Sequence, residues 1–351
     1  MIRLSWRQFR LHAALSVAGL VIVAIVLAIT GPHLVDLYNS TVASCRTRGD
    51  CATALTNFVH TDGFLQHAIT ALLFIVPALI GIFWGAPLVA RELETGSFRV
   101  AWTQSVTRTR WLSSKLVLVG GAAMIATGLL SLMVTWWFHP IDRANATQFA
   151  SNVFDARDVV PIGYAAFAFA LGVTAGAATR RTVPAIATTL VGFIAARLAT
   201  THWVRPNLLS PAHTAMALNQ GDSLGFVATP SGLVTFVSGN PAIPNAWTIS
   251  SAIVDRAGRT QSAQALNAFI DRYCPNIGAP PGAGGSAHTT QADPSAFNAC
   301  IAQLSTRFHL AVAYQPPSHF WTIQWLELGV YLVLSLILAT ACLQLVRRRL
   351  R

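Results

Sequence analysis

Six stretches of this sequence are apolar for long enough to cross a hydrocarbon core, and nothing else in the chain constrains its fold as strongly. A helix rising about 1.5 Å per residue needs about 20 apolar residues to do so. The stretches run from about Ala13 to Thr30, His67 to Val89, Leu116 to Phe138, Val159 to Thr179, Val183 to Trp203 and Phe320 to Val346. Composition agrees, with 53% hydrophobic and 11% charged residues. Soluble domains carry about 25% charge, so this chain cannot dress a water-facing surface. The expected fold is an all-α polytopic membrane protein with six transmembrane helices. A cytosolic enzyme, a nucleic-acid binder and a disordered scaffold all fit this composition poorly.

The net charge of +11 comes from 24 basic and 13 acidic residues, and Lys115 is the only lysine. Six spans put both termini on one side. That side receives three basic residues before the first span, five from Arg91 to Lys115, Arg180 with Arg181, and four after the sixth span. Its only acids are Glu92 and Glu94. The opposite loops mix Arg46, Arg48, Arg143 and Arg157 with Asp36, Asp50, Asp62, Asp142, Asp155 and Asp158. Basic residues collect on the cytoplasmic face, so both termini are expected there. Trp136-Trp137-Phe138 at the end of the third stretch has the composition of an aromatic belt.

Cysteine placement points the same way. Cys45 and Cys51 fall in the first external loop, Cys274 and Cys300 in the long segment after the fifth span, and Cys342 alone within the sixth. An oxidising exterior selects such pairs, so Cys45–Cys51 and Cys274–Cys300 are expected as disulfides. No pair has CxxC spacing or a clustered histidine, so no metal site is expected. The segment 204–319 has the size of an external region and is rich in Pro, Gly and Ser. Two helices are expected in it, about Gln261 to Tyr273 and Asp293 to Phe308, which the Cys274–Cys300 bridge would tie into a small helical cap.

Motifs for chemistry are missing. There is no GxxxxGK[ST] loop, HExxH or GxSxG, so the chain is expected to bind no cofactor and to be no enzyme. The stretch 91–115 between the second and third spans stands out instead. It holds both acids of the basic face, and the segment Leu93 to Arg99 reads as a short amphipathic element, with Phe98 and Trp102 at hand for a hydrophobic socket. Mixed charge of this kind suits docking to a cytosolic protein.

Four pieces of the sequence resemble the permease subunit of a type-2 ABC exporter, in the version common in high-GC Gram-positive bacteria. They are Trp6-Arg-Gln-Phe-Arg10, Phe83-Trp-Gly-Ala-Pro-Leu-Val-Ala-Arg-Glu-Leu-Glu94, Thr103-Gln-Ser-Val-Thr-Arg-Thr-Arg-Trp111 and Phe320-Trp-Thr-Ile-Gln-Trp-Leu-Glu327. Gly96-Ser97 stands where the wider family usually has Gly-Thr, and Ser105 where it often has proline. The resemblance implies a membrane-surface helix at 1–12, spans one to five within 13–203, a coupling element at 91–115, an extracellular region at 204–319, span six at 320–346 and a basic tail at 347–351. It implies ATPase coupling through Arg91, Glu92, Glu94, Gly96, Ser97, Phe98, Arg108 and Arg110. It also implies a separate ATPase subunit that carries ATP and Mg, a second permease copy, surrounding membrane lipid and export of a hydrophobic drug, peptide or lipid-like molecule.

Arg197 and Glu327 are the charges expected inside spans, at similar depth near the outer ends of spans five and six. Charges in the bilayer seek partners, so a salt bridge or shared polar pocket between the two is expected. Two other classes of protein compete with the exporter reading. One is a non-transporting sensor or immunity protein that binds a ligand through its external region. The other, an intramembrane enzyme, would need more ionisable groups at mid-membrane.

Overall fold

The computed structural model describes residues 2–45, 51–61, 63–96, 107–145, 149, 151–218, 224–229, 232–237, 243, 245–273, 299 and 302–349. The chain is mostly helical and divides into two compact units. One comprises 1–208 with 320–351, and the other 209–319.

Among the described residues six helices are long and apolar enough to cross a membrane: Ala13–Ala43, Gly63–Thr95, Thr109–Ala144, Val160–Thr179, Thr182–Asn207 and Pro317–Arg348. They are called spans 1 to 6 below. Span 1 outruns its expected end at Thr30 because Gly31-Pro32, a stop signal in water, is tolerated in membrane helices. Leu34, Leu37, Tyr38 and Val42 beyond it pack with Phe58 and Leu55 of the helix Ala52–His60. The Cys45–Cys51 disulfide closes the short loop between these two helices. At the other end, residues 2–12 run into span 1 as one helix, Ile2–Leu37, rather than as a separate surface helix.

Span 4 is the axis of the bundle. Within its apolar window 78% of residues are buried, against 6% in span 1. Its sequence explains the difference: Gly163, Ala165, Ala168, Gly172 and Gly176 let neighbouring backbones come close. Span 2 takes up that approach where its α-helix passes through a π-helical turn, Ile80–Gly85, and resumes at Ala86 with Pro87 in the first turn, where no N–H is needed. A Cβ on Gly172 would collide with the Gly81 carbonyl oxygen and lie 2.7 Å from the Ala86 nitrogen, and one on Gly176 would lie 2.5 Å from the Ala86 oxygen. Only glycine fits there.

The expected aromatic belt divides in two. Trp136 is exposed, whereas Trp137 turns inward, where its indole N–H donates to Thr30 Oγ1 at 2.9 Å and its ring meets Phe138 edge-on.

The second unit is not the helical cap expected from the sequence. Five strands lie among its described residues: β1 Ala212–Ala217, β2 Leu224–Thr229, β3 Gly232–Val237, β4 Trp247–Asp255 and β5 Phe308–Gln315. An antiparallel sheet of order β1-β5-β4 and an antiparallel β2-β3 pair result. Leu310 and Val312 alternate along β5 onto a core with Leu218, Ile253, Leu266 and Leu304. The helix Ala263–Tyr273 covers that core, with Phe269 edge-on to Phe308. The second expected helix is cut short, because residues 302–305 are helical and β5 begins at Phe308, inside the expected range. Cys274 and Cys300 lie outside the described residues.

Candidate functional site

Charge pairs gather at both ends of the helical unit. At the end away from the termini, Asp155 sits on the turn leading into span 4, Tyr164 one turn inside that span, Arg197 and Arg205 on span 5, and Glu327 on span 6. Arg205 Nε and Nη2 reach the two oxygens of Glu327 at 2.8 and 2.9 Å, and Nη2 also donates to Asp155. Arg197 Nη2 donates to the other Asp155 oxygen at 2.9 Å, and the guanidinium carbon lies 3.7 Å from the centre of the Tyr164 ring. Tyr164 Oη is 2.6 Å from Glu327 and 3.2 Å from Asp155, and its single proton serves the shorter contact. Gln324, one turn before Glu327, accepts from the Val160 N–H and donates to the Phe154 carbonyl, both at 3.1 Å. Tyr331 donates to Thr200 Oγ1 at 2.8 Å.

Asp155, Arg205 and Glu327 are almost wholly buried. Two guanidinium groups balance two carboxylates, and several hydrogen bonds satisfy Arg205, Asp155 and Glu327, while Arg197 makes one and lies over the Tyr164 ring. That is the condition under which buried charges are retained. Of the two arrangements expected for Arg197 and Glu327, the direct salt bridge does not form. Arg197 bonds Asp155 and Glu327 bonds Arg205, and the two share one polar cluster through these residues and Tyr164. Asp155, Tyr164, Arg205 and Gln324 were not singled out in the sequence. The run Asp155-Ala-Arg157-Asp158 and the one-turn spacing of Gln324 and Glu327 were the available signals.

Beside this cluster Arg157 grips both oxygens of Asp142 at 2.6 Å and lies 3.8 Å over Phe138. Burial pulls the Arg157 pKa down, against the pull of Asp142. Asp158 has a left-handed backbone, φ 61°, and burial pushes its carboxyl up to about 6, opposed by Arg157 and reinforced by Asp142.

At the end that carries the termini, two separate polar contacts join span 2 to its neighbours among the described residues. Lys115 of span 3, buried and 4.6 Å over the Trp111 ring, contacts Glu92 of span 2 at 2.5 Å. Glu94 is exposed, and its Oε2 accepts from the Thr182 hydroxyl at 2.8 Å and from the Thr182 N–H at 3.4 Å. Arg91 and Arg110 are exposed, and Gly96 ends the helix in the left-handed conformation at φ 69°. The helix of span 3 starts at Arg108. Ser97 and Phe98 lie outside the described residues. Glu92 and Glu94, expected to face a partner, therefore also have partners on spans 3 and 5. Among the described residues no three His, Cys, Asp or Glu side chains group as a metal site.

The family described as ABC-2 membrane transporter related matches residues 17–205, more than half of the chain and all of spans 2 to 4. The chain belongs to this family. Its members are ABC transporter membrane components, typically non-catalytic permeases that work with an ATPase partner. Membership covers the helix Ala86–Thr95 and the Glu92–Lys115 and Glu94–Thr182 contacts of this ABC-2 protein, and it stops before Glu327. Neither the curated proteins nor the solved structures offer a match.

Proposed function

We propose that this chain is the membrane-spanning permease of an ATP-driven exporter, moving a hydrophobic drug, peptide or lipid-like molecule out of the cell. The observation that carries the reading is the family match across residues 17–205, together with the four motifs spread along the sequence. Two copies pair in the plasma membrane with both termini in the cytoplasm, and each binds an ATPase subunit that holds ATP and Mg. The stretch 91–115 is the coupling element. Arg91, Gly96, Ser97, Phe98, Arg108 and Arg110 meet the ATPase, and Glu92 and Glu94 carry its movement inward. The region 204–319 is extracellular, with Cys274 bridged to Cys300. The motifs at Trp6 and Phe320 favour the high-GC Gram-positive subgroup.

A sensor or immunity role draws support from one feature, the separate sheet-and-helix core of 209–319, which is larger than a connecting loop needs to be. One experiment separates the two readings. The chain is co-expressed with an ABC ATPase, and inside-out vesicles are tested for ATP-dependent uptake of a fluorescent lipophilic cation. Uptake that requires ATP and is lost on Arg91→Glu with Arg110→Glu supports the exporter. Co-purification without any nucleotide-dependent movement across a panel of drugs, peptides and lipids favours the sensor.

A further inference from the structure

The helix of span 5, Thr182–Ala199, begins with an unmet need. Arg181 occupies its N-cap and makes no side-chain capping bond, so the first backbone N–H groups lack the acceptor that Ser, Thr, Asp or Asn would supply. Glu94 supplies it from another span. Its carboxylate takes both the Thr182 hydroxyl and the Thr182 N–H, and a negative charge at a helix N-terminus is further favoured by the helix dipole. Two residues earlier, Glu92 holds Lys115 of span 3. Beneath these contacts Ala86 and Ala90 pack on Ala185 of span 5, and Gly176 of span 4 brings its backbone against Ala86.

We propose that Lys115 and Thr182 are positioning residues for the coupling element, a two-point seat that makes the end of span 2 move spans 3 and 5 together. The inference rests on the exporter reading and adds which spans receive the stroke. Residues 92 and 94 lie about 200° apart around a helix, so one short helix end faces two neighbours at once. The grip on span 3 is a charge pair with a buried lysine, and the grip on span 5 is an exposed cap. Pushing the exposed face around Arg91 therefore loads both spans through different bonds.

The test uses the full-length chain with its ATPase in lipid nanodiscs, and reads two quantities. One is amide exchange of residues 86–95 in the permease without nucleotide. The other is the ratio of permease-stimulated to basal ATP turnover. Lys115→Met, Glu92→Gln and Thr182→Val should each speed exchange, the two charge variants by about tenfold, since each removes a charged hydrogen bond. Lys115→Arg should keep protection, and the swap Glu92→Lys with Lys115→Glu should restore most of it. Stimulated turnover should fall and recover in the same variants. Unchanged exchange in the single variants, or a swap as leaky as either single, overturns the seat. Altered exchange with unaltered stimulation overturns its role in coupling. A wild-type complex with no stimulation at all removes the exporter reading instead, and exchange read on the permease alone keeps that failure separate.

Discussion

The two ends of the helical unit hold their spans together in different ways. Away from the termini, Asp155, Arg205 and Glu327 are withdrawn from solvent and share bonds with Arg197 and Tyr164 across spans 4, 5 and 6. No member leaves without stranding another. At the termini end, the polar contacts of span 2 among the described residues are one ion pair to span 3 and one exposed carboxylate to span 5, above the packing of Ala86 and Ala90 on Ala185. Buried, multiply bonded charges resist separation, whereas an exposed single contact such as Glu94 to Thr182 is worth about 1 kcal/mol or less. The polar contacts are thus shared at one end and separate at the other, and on the exporter reading the second end is the one we propose to move.

The largest effect should come from the end with shared contacts. Arg205→Met leaves Glu327 without its cation and Asp155 with Arg197 alone, and losing one partner from a buried ion network costs about 3–5 kcal/mol. Thermal unfolding in detergent, followed by the fluorescence of the ten tryptophans, should show a lower midpoint or no folded protein. Pairing it with Glu327→Leu should recover part of the loss. A wild-type midpoint for Arg205→Met would break the contrast.

Next comes the surface between spans 2 and 4. Gly172→Val inserts a side chain against the backbone of Gly81 and Ala86, and overpacking of this kind costs about 1–3 kcal/mol. Gly121→Val, at a position with open space around it, is the control and should leave the same unfolding midpoint unmoved.

A smaller effect is expected from pH. The Asp158 carboxyl stands at about 6 in the folded protein, above the 3.8 of a free aspartate. The folded state therefore binds this proton more tightly, and its contribution to stability falls as pH rises from about 4 through about 6. Asp158→Asn, which tolerates the left-handed backbone, should flatten that part of the unfolding-midpoint profile and raise the midpoint at pH 7.5. An unchanged slope would mean that Asp158 is not the titrating group.

The sequence made some of this legible and concealed the rest for physical reasons. Apolar runs of span length carry their own signal, so all six spans could be read, and only their ends moved, as at Gly31-Pro32. Cys45 and Cys51 stand close enough in sequence for their pairing to be read directly. The partners of Arg197 and Glu327 were hidden, because Asp155 and Arg205 lie just outside the apolar runs and read as loop residues until the fold buries them. In 209–319 the apolar alternation of Phe308, Leu310, Val312 and Tyr314 marks a strand, but the helical periodicity expected from Asp293 onward ran across it. Glu94 and Thr182 are 88 residues apart, and no local pattern joins them.

The central claim is that one end of the bundle stays fixed while the other moves, and distances measured at both ends in one preparation test it most directly. Spin labels carried on non-natural residues replace Thr95 and Arg181 at the termini end, and Trp203 and Trp321 at the opposite end, all four exposed. Distances are read by pulsed electron resonance in the ATPase-bound transporter, nucleotide-free and after vanadate trapping. The account predicts that the 95–181 distance shifts between the two states while the 203–321 distance holds. A shift at 203–321 with none at 95–181 would contradict it.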